Sequence, residues 1–448
     1  MMKVILTRSA IALSTILLAC SAAVGQSEIV LHAFGALPDG SNPRGGLIAD
    51  SAGRLYGLTY NGGHQNLGVV YEIVPPSTKG GAWTEYVLYS LAGLTDSLTD
   101  SYDTLALGSH GELYATTFYS GTLGYGSVAQ VVPPAKRNGK WTGSMIYSFT
   151  GGTDGAYPEG GVVFDKSGAL YGTTIQGGNR GLCDHSGCGT VFQLVPPVSS
   201  GGAWTENTLY TFSGFDGNGS PGQLLWDRAG NLYGISEVGG AYAHGNVFEL
   251  SPPAVQGGSW SLADLYDFTG GADGNGPVGS LVWDPAGNLY GMTVAGGDLS
   301  ACSGGGCGTV FQLSPPATQG GSWSETALYS FTGQSNGYLP LGGVIRDGSG
   351  NLYGTTYFGG DPLCDESGST GCGVVFKLAP PAVSGGTWTE TTLHSFLGGT
   401  DGADPSSGVT FGKGNALYGT TFLGGSSAEY GTVFEVTPLK QCPITGIM

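Results

Sequence analysis

The sequence predicts an all-β fold, a seven-bladed β-propeller of four-stranded blades. A skeleton of Gly-x-Leu-Tyr-Gly-Thr-Thr, a Gly-Gly turn, a loop and Gly-Thr-Val-Phe recurs in register. Short runs rich in β-branched and aromatic residues fill each copy, and no sustained helical period follows the N-terminal segment. Four-stranded units repeated in this way are typical of a propeller. The seven copies centre on tyrosines 57 to 65 residues apart, namely Tyr56, Tyr114, Tyr171, Tyr233, Tyr290, Tyr353 and Tyr418.

The third copy illustrates how we assign the strands. Its predicted strands, from the innermost outward, are Gly161–Asp165, Ala169–Thr174, Gly189–Leu194 and Trp204–Phe212. The glycine-rich segment after Phe212 is longer than the Asp-x-x-Gly turn between the first two strands. It therefore suits the passage from the outer edge of one blade to the inner strand of the next.

The two ends of the chain predict how the ring closes. Glu28–Phe34 (EIVLHAF) aligns with Glu390–Phe396 (ETTLHSF), an outermost strand, whereas the last copy stops after its third strand. We therefore expect the N-terminal strand to complete the seventh blade, which removes two exposed sheet edges. The predicted organisation is a signal segment at 1–25, one propeller at 26–439 and a tail at 440–448.

The second copy departs from the skeleton. It lacks the opening glycine in Asp103–Gly108, and Ala115 replaces the glycine that follows tyrosine elsewhere. We interpret this copy as a structural variant rather than a specialised part of the ring.

Composition and the N-terminus indicate an exported protein. A net charge of -18 argues against nucleic acid and anionic membrane surfaces as partners. Residues 1–25 read as a secretory signal that leaves Gln26 as the new N-terminus, while Leu17–Cys20 offers an alternative, a lipid anchor at Cys20. No other stretch has the roughly 20 apolar residues of a membrane span. We expect a monomer, secreted or on the outer surface of a bacterium.

The interblade connectors share an Asp-Gly-x-x-Pro pattern, which makes their carboxylates candidate ligand-binding groups. The structural interpretation is a turn in which Asp bonds its own backbone. The functional alternative is a ring of carboxylates for sugar hydroxyls or Ca²⁺, since Ca²⁺ prefers oxygen ligands. The residues, the last of them a looser match, are Asp39, Asp154, Asp273, Asp401 and Asp216.

Tryptophans offer a second set of candidates. Six begin outermost strands, where packing explains them. Trp226 and Trp283 lie in innermost strands, so they reach either the channel, where they would stack on a ligand, or the core between blades.

Six cysteines fall in pairs within second-to-third-strand loops, and we predict the disulfides Cys183–Cys188, Cys302–Cys307 and Cys364–Cys372. A zinc site is disfavoured because the pairs lack a consistent histidine. Cys442 is left over. No catalytic motif is evident, although a carboxylate pair assembled in space stays open. His32 and His394 occupy equivalent outermost-strand positions, where we expect packing.

The repeated skeleton resembles the bacterial GloVer tandem-repeat family, most clearly at Leu170–Phe192, Leu289–Phe311, Leu352–Phe376 and Leu417–Phe434. The resemblance implies an exported or surface-anchored protein without an established enzymatic activity. Asp284–Tyr290 is also similar to the strand-turn-strand of NHL-type propellers.

We accordingly expect a non-enzymatic propeller that binds an extracellular carbohydrate or protein through its loop face. The alternatives are a hydrolase or lyase that acts on polysaccharide, and a structural or adhesion protein of the cell surface.

Overall fold

The computed structural model describes residues 28–438 except 36, 92–103, 137–138, 200, 220–221, 256, 319, 365–369 and 384. The predicted signal segment, the tail, Cys20 and Cys442 lie outside these residues.

The described chain forms seven four-stranded antiparallel sheets arranged as the blades of a propeller, which confirms the predicted fold. It begins with β1 (Glu28–Ala33) and the connector strand β2 (Gly40–Pro43). Blade one comprises β3 (Ile48–Ala49), β4 (Leu55–Gly62), β5 (Val69–Val74) and β6 (Thr84–Ser90). Blade two comprises β7 (Ala106–Leu107), β8 (Leu113–Thr117), β9 (Ser127–Val132) and β10 (Thr142–Ser148). Blade three comprises β11 (Val163–Phe164), β12 (Leu170–Thr174), β13 (Thr190–Val195) and β14 (Thr205–Thr211).

The remaining blades repeat the same strand order. Blade four comprises β15 (Leu225–Trp226), β16 (Leu232–Ser236), β17 (Asn246–Ser251) and β18 (Ser261–Asp267). Blade five comprises β19 (Asn275–Trp283), β20 (Leu289–Ala295), β21 (Thr309–Ser314) and β22 (Ser324–Ser330). Blade six comprises β23 (Ile345–Arg346), β24 (Leu352–Thr356), β25 (Val374–Ala379) and β26 (Thr389–Ser395). The seventh comprises β27 (Thr410–Phe411), β28 (Leu417–Thr421), β29 (Thr432–Val436) and β1.

The N-terminal strand closes the ring as predicted. β1 pairs antiparallel with β29, from Glu28 opposite Val436 to Ala33 opposite Thr432. The seventh blade therefore combines three C-terminal strands with one N-terminal strand, and closure depends on backbone hydrogen bonds and packing between the chain's two ends.

Most innermost strands are shorter than expected. In the third blade only Val163–Phe164 pairs as strand, because the preceding glycines lie against the neighbouring blade instead. A Cβ added to Gly222 would lie 2.0 Å from the backbone oxygen of Gly279, so only glycine allows this approach. The innermost segments thus meet backbone to backbone around the axis.

The core lies between neighbouring blades. Phe192 on β13 is fully buried and meets Phe149, which follows the outermost strand of the previous blade, at 5.1 Å between ring centroids. The same pair recurs as Phe212–Phe248, Phe268–Phe311, Phe331–Phe376 and Phe396–Phe434. Repeated aromatic contacts of this kind hold neighbouring blades together.

Candidate central binding site

A cavity of about 360 Å³ lies at the centre of the ring and receives residues from all seven blades. Interblade connectors and second-to-third-strand loops share one side of the propeller, which we call the loop face. The polar and aromatic side chains lining the cavity are Arg44, Thr104, Glu159, Gln223, Glu237, Ser280, Tyr357, Ser406 and Ser407.

Two positions of the repeat supply the charged side chains of this lining. One follows the connector proline, as at Arg44 and Glu159; the other follows the residue that ends the second strand, as at Glu237 and Tyr357. Antiparallel bridges tie the third, sixth and seventh connectors to the segment beyond the second strand, as Ala156 with Gln176 in the third blade. In these blades the bridge holds the two positions side by side near the axis.

Two carboxyl groups face this space from adjacent blades. Glu159 and Glu237 line the central cavity and also a neighbouring pocket of about 170 Å³ with Gln176 and Asn218. Burial raises the pKa of Glu237 above its ordinary value. A carboxyl with a raised pKa in a central cavity is a candidate functional group.

Arg44 brings a cation to the same wall. Its guanidinium lies 5.1 Å from the ring centroid of Tyr60 and 5.3 Å from that of Phe422, so it is held between the first and seventh blades. Cation–π contacts of this geometry orient a guanidinium. The cavity thus combines an oriented cation with two carboxyl groups.

An aromatic cluster lies between blades two and three, where Tyr157 precedes Glu159 by two residues in the connector. Tyr157 stacks on Phe118 with ring centroids 5.0 Å apart, and Tyr119 and Tyr125 contact it at 5.5 and 5.8 Å. Tyr157 has a φ of 56°, a conformation that bulky residues avoid. Asn42, Leu339 and Asp404 have the same positive φ at the equivalent connector position, so this conformation belongs to the repeat.

The connector aspartates serve their own turns. Asp154 accepts hydrogen bonds from the backbone N–H groups of Thr150 and Gly152, at 2.8 and 3.2 Å, and from the Tyr147 hydroxyl at 3.0 Å. Asp273 has the same three kinds of donor, and Asp216 accepts from Tyr210 and Ser213. These contacts fit the turn interpretation, and the ligand-binding role stays a prediction.

The remaining two aspartates pair with histidine. Asp39 lies 3.3 Å from His32 Nε2 and accepts from Gly35, while Asp401 lies 3.1 Å from His394 Nε2 and accepts from Leu397. The sequence assigned both histidines to packing, and their carboxylate partners were not foreseen.

Trp226 and Trp283 lie at the seams between blades. Their rings meet Tyr171 and Tyr233 of the preceding blades edge-on, each at 4.8 Å. Trp283 Nε1 also donates to the backbone oxygen of Trp226 at 3.2 Å. These contacts correspond to the interblade alternative, and stacking on a ligand stays a prediction.

All three predicted disulfides are present, Cys183–Cys188, Cys302–Cys307 and Cys364–Cys372. They indicate an extracellular or otherwise oxidising environment. Within the described part of the chain, no helix has the length and apolar character needed to cross a membrane.

Sequence reasoning missed Arg44, Glu159, Glu237 and Tyr357. One feature of the sequence could have pointed to these residues, namely a change of residue type at a fixed position of the repeat. Val278 and Leu341 occupy the place of Glu159 in other copies, so a charged residue there stands out.

Comparison with known proteins identifies the repeat. A family model described as the Gloeobacter/Verrucomicrobia repeat matches residues 18–183 and 101–363, well over half of the chain. The chain belongs to this family. The family assignment confirms the resemblance carried by the Leu-Tyr-Gly-Thr-Thr skeleton. No curated protein matches the chain.

Solved structures resemble this Gloeobacter/Verrucomicrobia repeat protein at low identity. The extracellular domain of a one-component system from B. thetaiotaomicron is 12% identical with a TM-score of 0.50, over 92% of this chain but only 42% of that one. A polysaccharide lyase of family PL25, an ulvan lyase, is 12% identical with a TM-score of 0.46, over 91% and 95% of the two chains. Trypanosoma rangeli sialidase is 12% identical with a TM-score of 0.41, over 81% and 56%.

Proposed function

We propose that this protein is a secreted or surface-associated, non-enzymatic propeller that binds an extracellular carbohydrate at the central cavity of its loop face. The observation that carries the proposal is the combination of the oriented Arg44, the carboxyl groups of Glu159 and Glu237, and the Tyr357 ring around one cavity. Sugar recognition needs both kinds of surface. Carboxylates and guanidinium bond hydroxyl groups, whereas aromatic faces cover the apolar faces of the rings.

The cavity size fits a small number of sugar units. Ligand pockets commonly have volumes of about 300–1,000 Å³, and this one measures about 360 Å³. Exposed apolar side chains also lie on the loop face, including Phe215 at 84% and Leu363 at 90% exposure. Those side chains favour a protein ligand as the alternative occupant of the face.

A second candidate function is polysaccharide cleavage. The observation that favours it is the carboxyl pair of Glu159 and Glu237, because glycosidases use two carboxyl groups, one with a raised pKa as the general acid. Arg44 and Tyr357 would then hold an anionic sugar in place. This candidate differs from the first only in whether the bound glycan is altered.

A glycan array probed with the exported chain tests the proposal, once with Ca²⁺ and once with EDTA. We expect saturable binding to a glycan that Glu237→Gln and Tyr157→Asn each weaken at least tenfold. Asparagine is the residue that the first connector carries at the equivalent position, Asn42, so the second variant keeps a residue type suited to this backbone conformation. EDTA sensitivity would support the Ca²⁺ expectation for the connector aspartates.

Val198→Ser is the matched control, because Val198 is fully exposed in a Pro-Pro hairpin on the opposite face. Binding that survives both Glu237→Gln and Tyr157→Asn would place the ligand elsewhere. Shortening of the bound glycan would favour the enzyme, and loss of cleavage in Glu237→Gln would identify its acid. If no glycan binds and a protein is captured instead, the result would favour the protein ligand.

A further inference from the structure

The ring-closing strand β1 contributes to two histidine–carboxylate clusters, one at each seam that it borders. The first contains Glu28, His394 and Asp401, and the second contains His32, Asp39 and Glu85. In each cluster one imidazole nitrogen and two carboxylate oxygens lie within 4.8 Å of one another. We call these two clusters the closure triads.

The same position is built differently at other seams. Tyr147 and Tyr266 stand where the closure triads have histidine, and their hydroxyl groups donate to Asp154 and Asp273 at 3.0 Å. A tyrosine donor satisfies the connector aspartate without a cation. Histidine occurs at this position in the two seams beside β1. In the seventh blade, β1 comes from the N-terminal end of the chain and the other three strands from the C-terminal end, so the blade is not one continuous segment.

Three atoms of the closure triads lack partners that a bound cation would supply. Glu28 Oε1, Glu85 Oε1 and His32 Nε2 are buried and have no hydrogen-bond partner among the described residues. His32 Nε2 lies 3.3 Å from Asp39 Oδ2 but is not aligned to donate to it. Each triad therefore has one glutamate oxygen, and the second triad also an imidazole nitrogen, without the hydrogen bond that buried polar atoms normally have.

The spacing of these atoms suits a metal ion. A tetrahedral ion with ligands at about 2.0 Å has neighbouring ligand atoms about 3.3 Å apart. The nitrogen-to-oxygen distances here are 3.3 Å for His32 with Asp39 and 3.1 Å for His394 with Asp401. Backbone N–H groups of Gly35 and Leu397 also hold the two aspartates in place, as outer partners do for metal ligands.

We propose that each closure triad binds one divalent transition-metal ion of the zinc class, and that the two ions clamp β1 to the seams on both sides. One histidine and two carboxylates leave the fourth position of a tetrahedral ion to water. Imidazole favours zinc-like ions over Ca²⁺. Because β1 supplies Glu28 to one triad and His32 to the other, metal binding stabilises the closed ring.

The test is the metal stoichiometry of the purified full chain, stripped with chelator and titrated with Zn²⁺ by calorimetry, with Co²⁺ absorption as a report of nitrogen and oxygen ligands. We expect two equivalents in the parent, one in His32→Tyr, one in His394→Tyr and none at these sites in the double variant. Tyrosine is the residue of the equivalent seams, so these variants should fold, which circular dichroism checks.

Two further variants sharpen the result. His110→Gln removes a largely exposed histidine far from β1 in the sequence and should leave two equivalents. Tyr147→His places an imidazole beside Asp154 and Glu206 and should raise the stoichiometry to three. The proposal is overturned if the parent shows no saturable Zn²⁺ binding, or if two equivalents persist in either tyrosine variant.

Discussion

Ala115 on β8 lies directly opposite Ala129 on β9, where the other six blades place glycine opposite an aromatic residue. In the third blade Gly172 opposes Phe192, and a Cβ on that glycine would lie 2.6 Å from Phe192 Cζ. Only the loss of the ring makes room for the methyl group of Ala115. The divergence of the second copy is therefore a matched exchange of two facing residues, as expected of a structural variant.

The pairing predicts that Gly172→Ala destabilises the propeller by about 2 kcal/mol or more, because the added methyl group overpacks a closed site. Urea unfolding of the variant measures the change. Ala129→Phe should cost a similar amount, and combining it with Ala115→Gly should restore most of the loss. Additive effects of the last two changes would contradict the matched exchange.

The closing strand should contribute strongly to stability through Phe34. This side chain is 1% exposed and meets Tyr71 of the first blade at 5.1 Å between ring centroids. We expect Phe34→Ala to cost about 3 kcal/mol, the usual range for a buried phenylalanine. Ile29→Ala on the same strand is the control, since Ile29 is 50% exposed and should change the midpoint of denaturation little.

Stability should fall as the pH rises from about 4.5 to about 7. Burial raises the pKa of Glu206 and of Glu325 from 4.5 to about 7. A nearby connector aspartate, Asp154 for Glu206 and Asp273 for Glu325, adds to the increase. Between these values the folded chain binds more protons than the unfolded chain, so the stabilisation present below pH 4.5 is lost on approaching pH 7. Because these carboxyls are partly exposed and screened by water, we expect about 1 kcal/mol for each.

Denaturation midpoints measured across this pH range check the expectation. Glu206→Gln should flatten the dependence, since its amide does not titrate. The second blade has Gly143 at the equivalent position, so the seam tolerates loss of the carboxyl. An unchanged pH slope in the variant would show that Glu206 does not titrate in this range.

The disulfide in the third blade should stabilise its loop and the connector beside it. Cys188 is fully buried. The disulfide also packs against the following connector, since a Cβ added to Gly214 would lie 3.1 Å from Cys183 Sγ. Replacing both cysteines by serine should cost about 2 kcal/mol, the chain-entropy value for so short a loop. Equal denaturation midpoints for the parent and the double variant would leave the bond without a structural role.

Repeat spacing, strand runs and the match between the two chain ends were enough to predict seven blades, their strand order and the closing role of β1. They also predicted the disulfides, because paired cysteines in short loops have few alternative partners. The central cavity was not predicted, since its lining comes from residues such as Arg44 and Glu237 that are nearly 200 positions apart. Likewise, nothing in the sequence placed Glu28 beside His394.

Local chemistry thus determined the blade by itself. Glycine, β-branched residues and turn aspartates act within a few positions of one another, so a period read along the chain specifies the sheet. Only the tertiary structure decided which side chains converge at the axis and at the seams. Those contacts depend on how seven blades are inclined around a ring, which is a property of packing between repeats rather than of any one repeat.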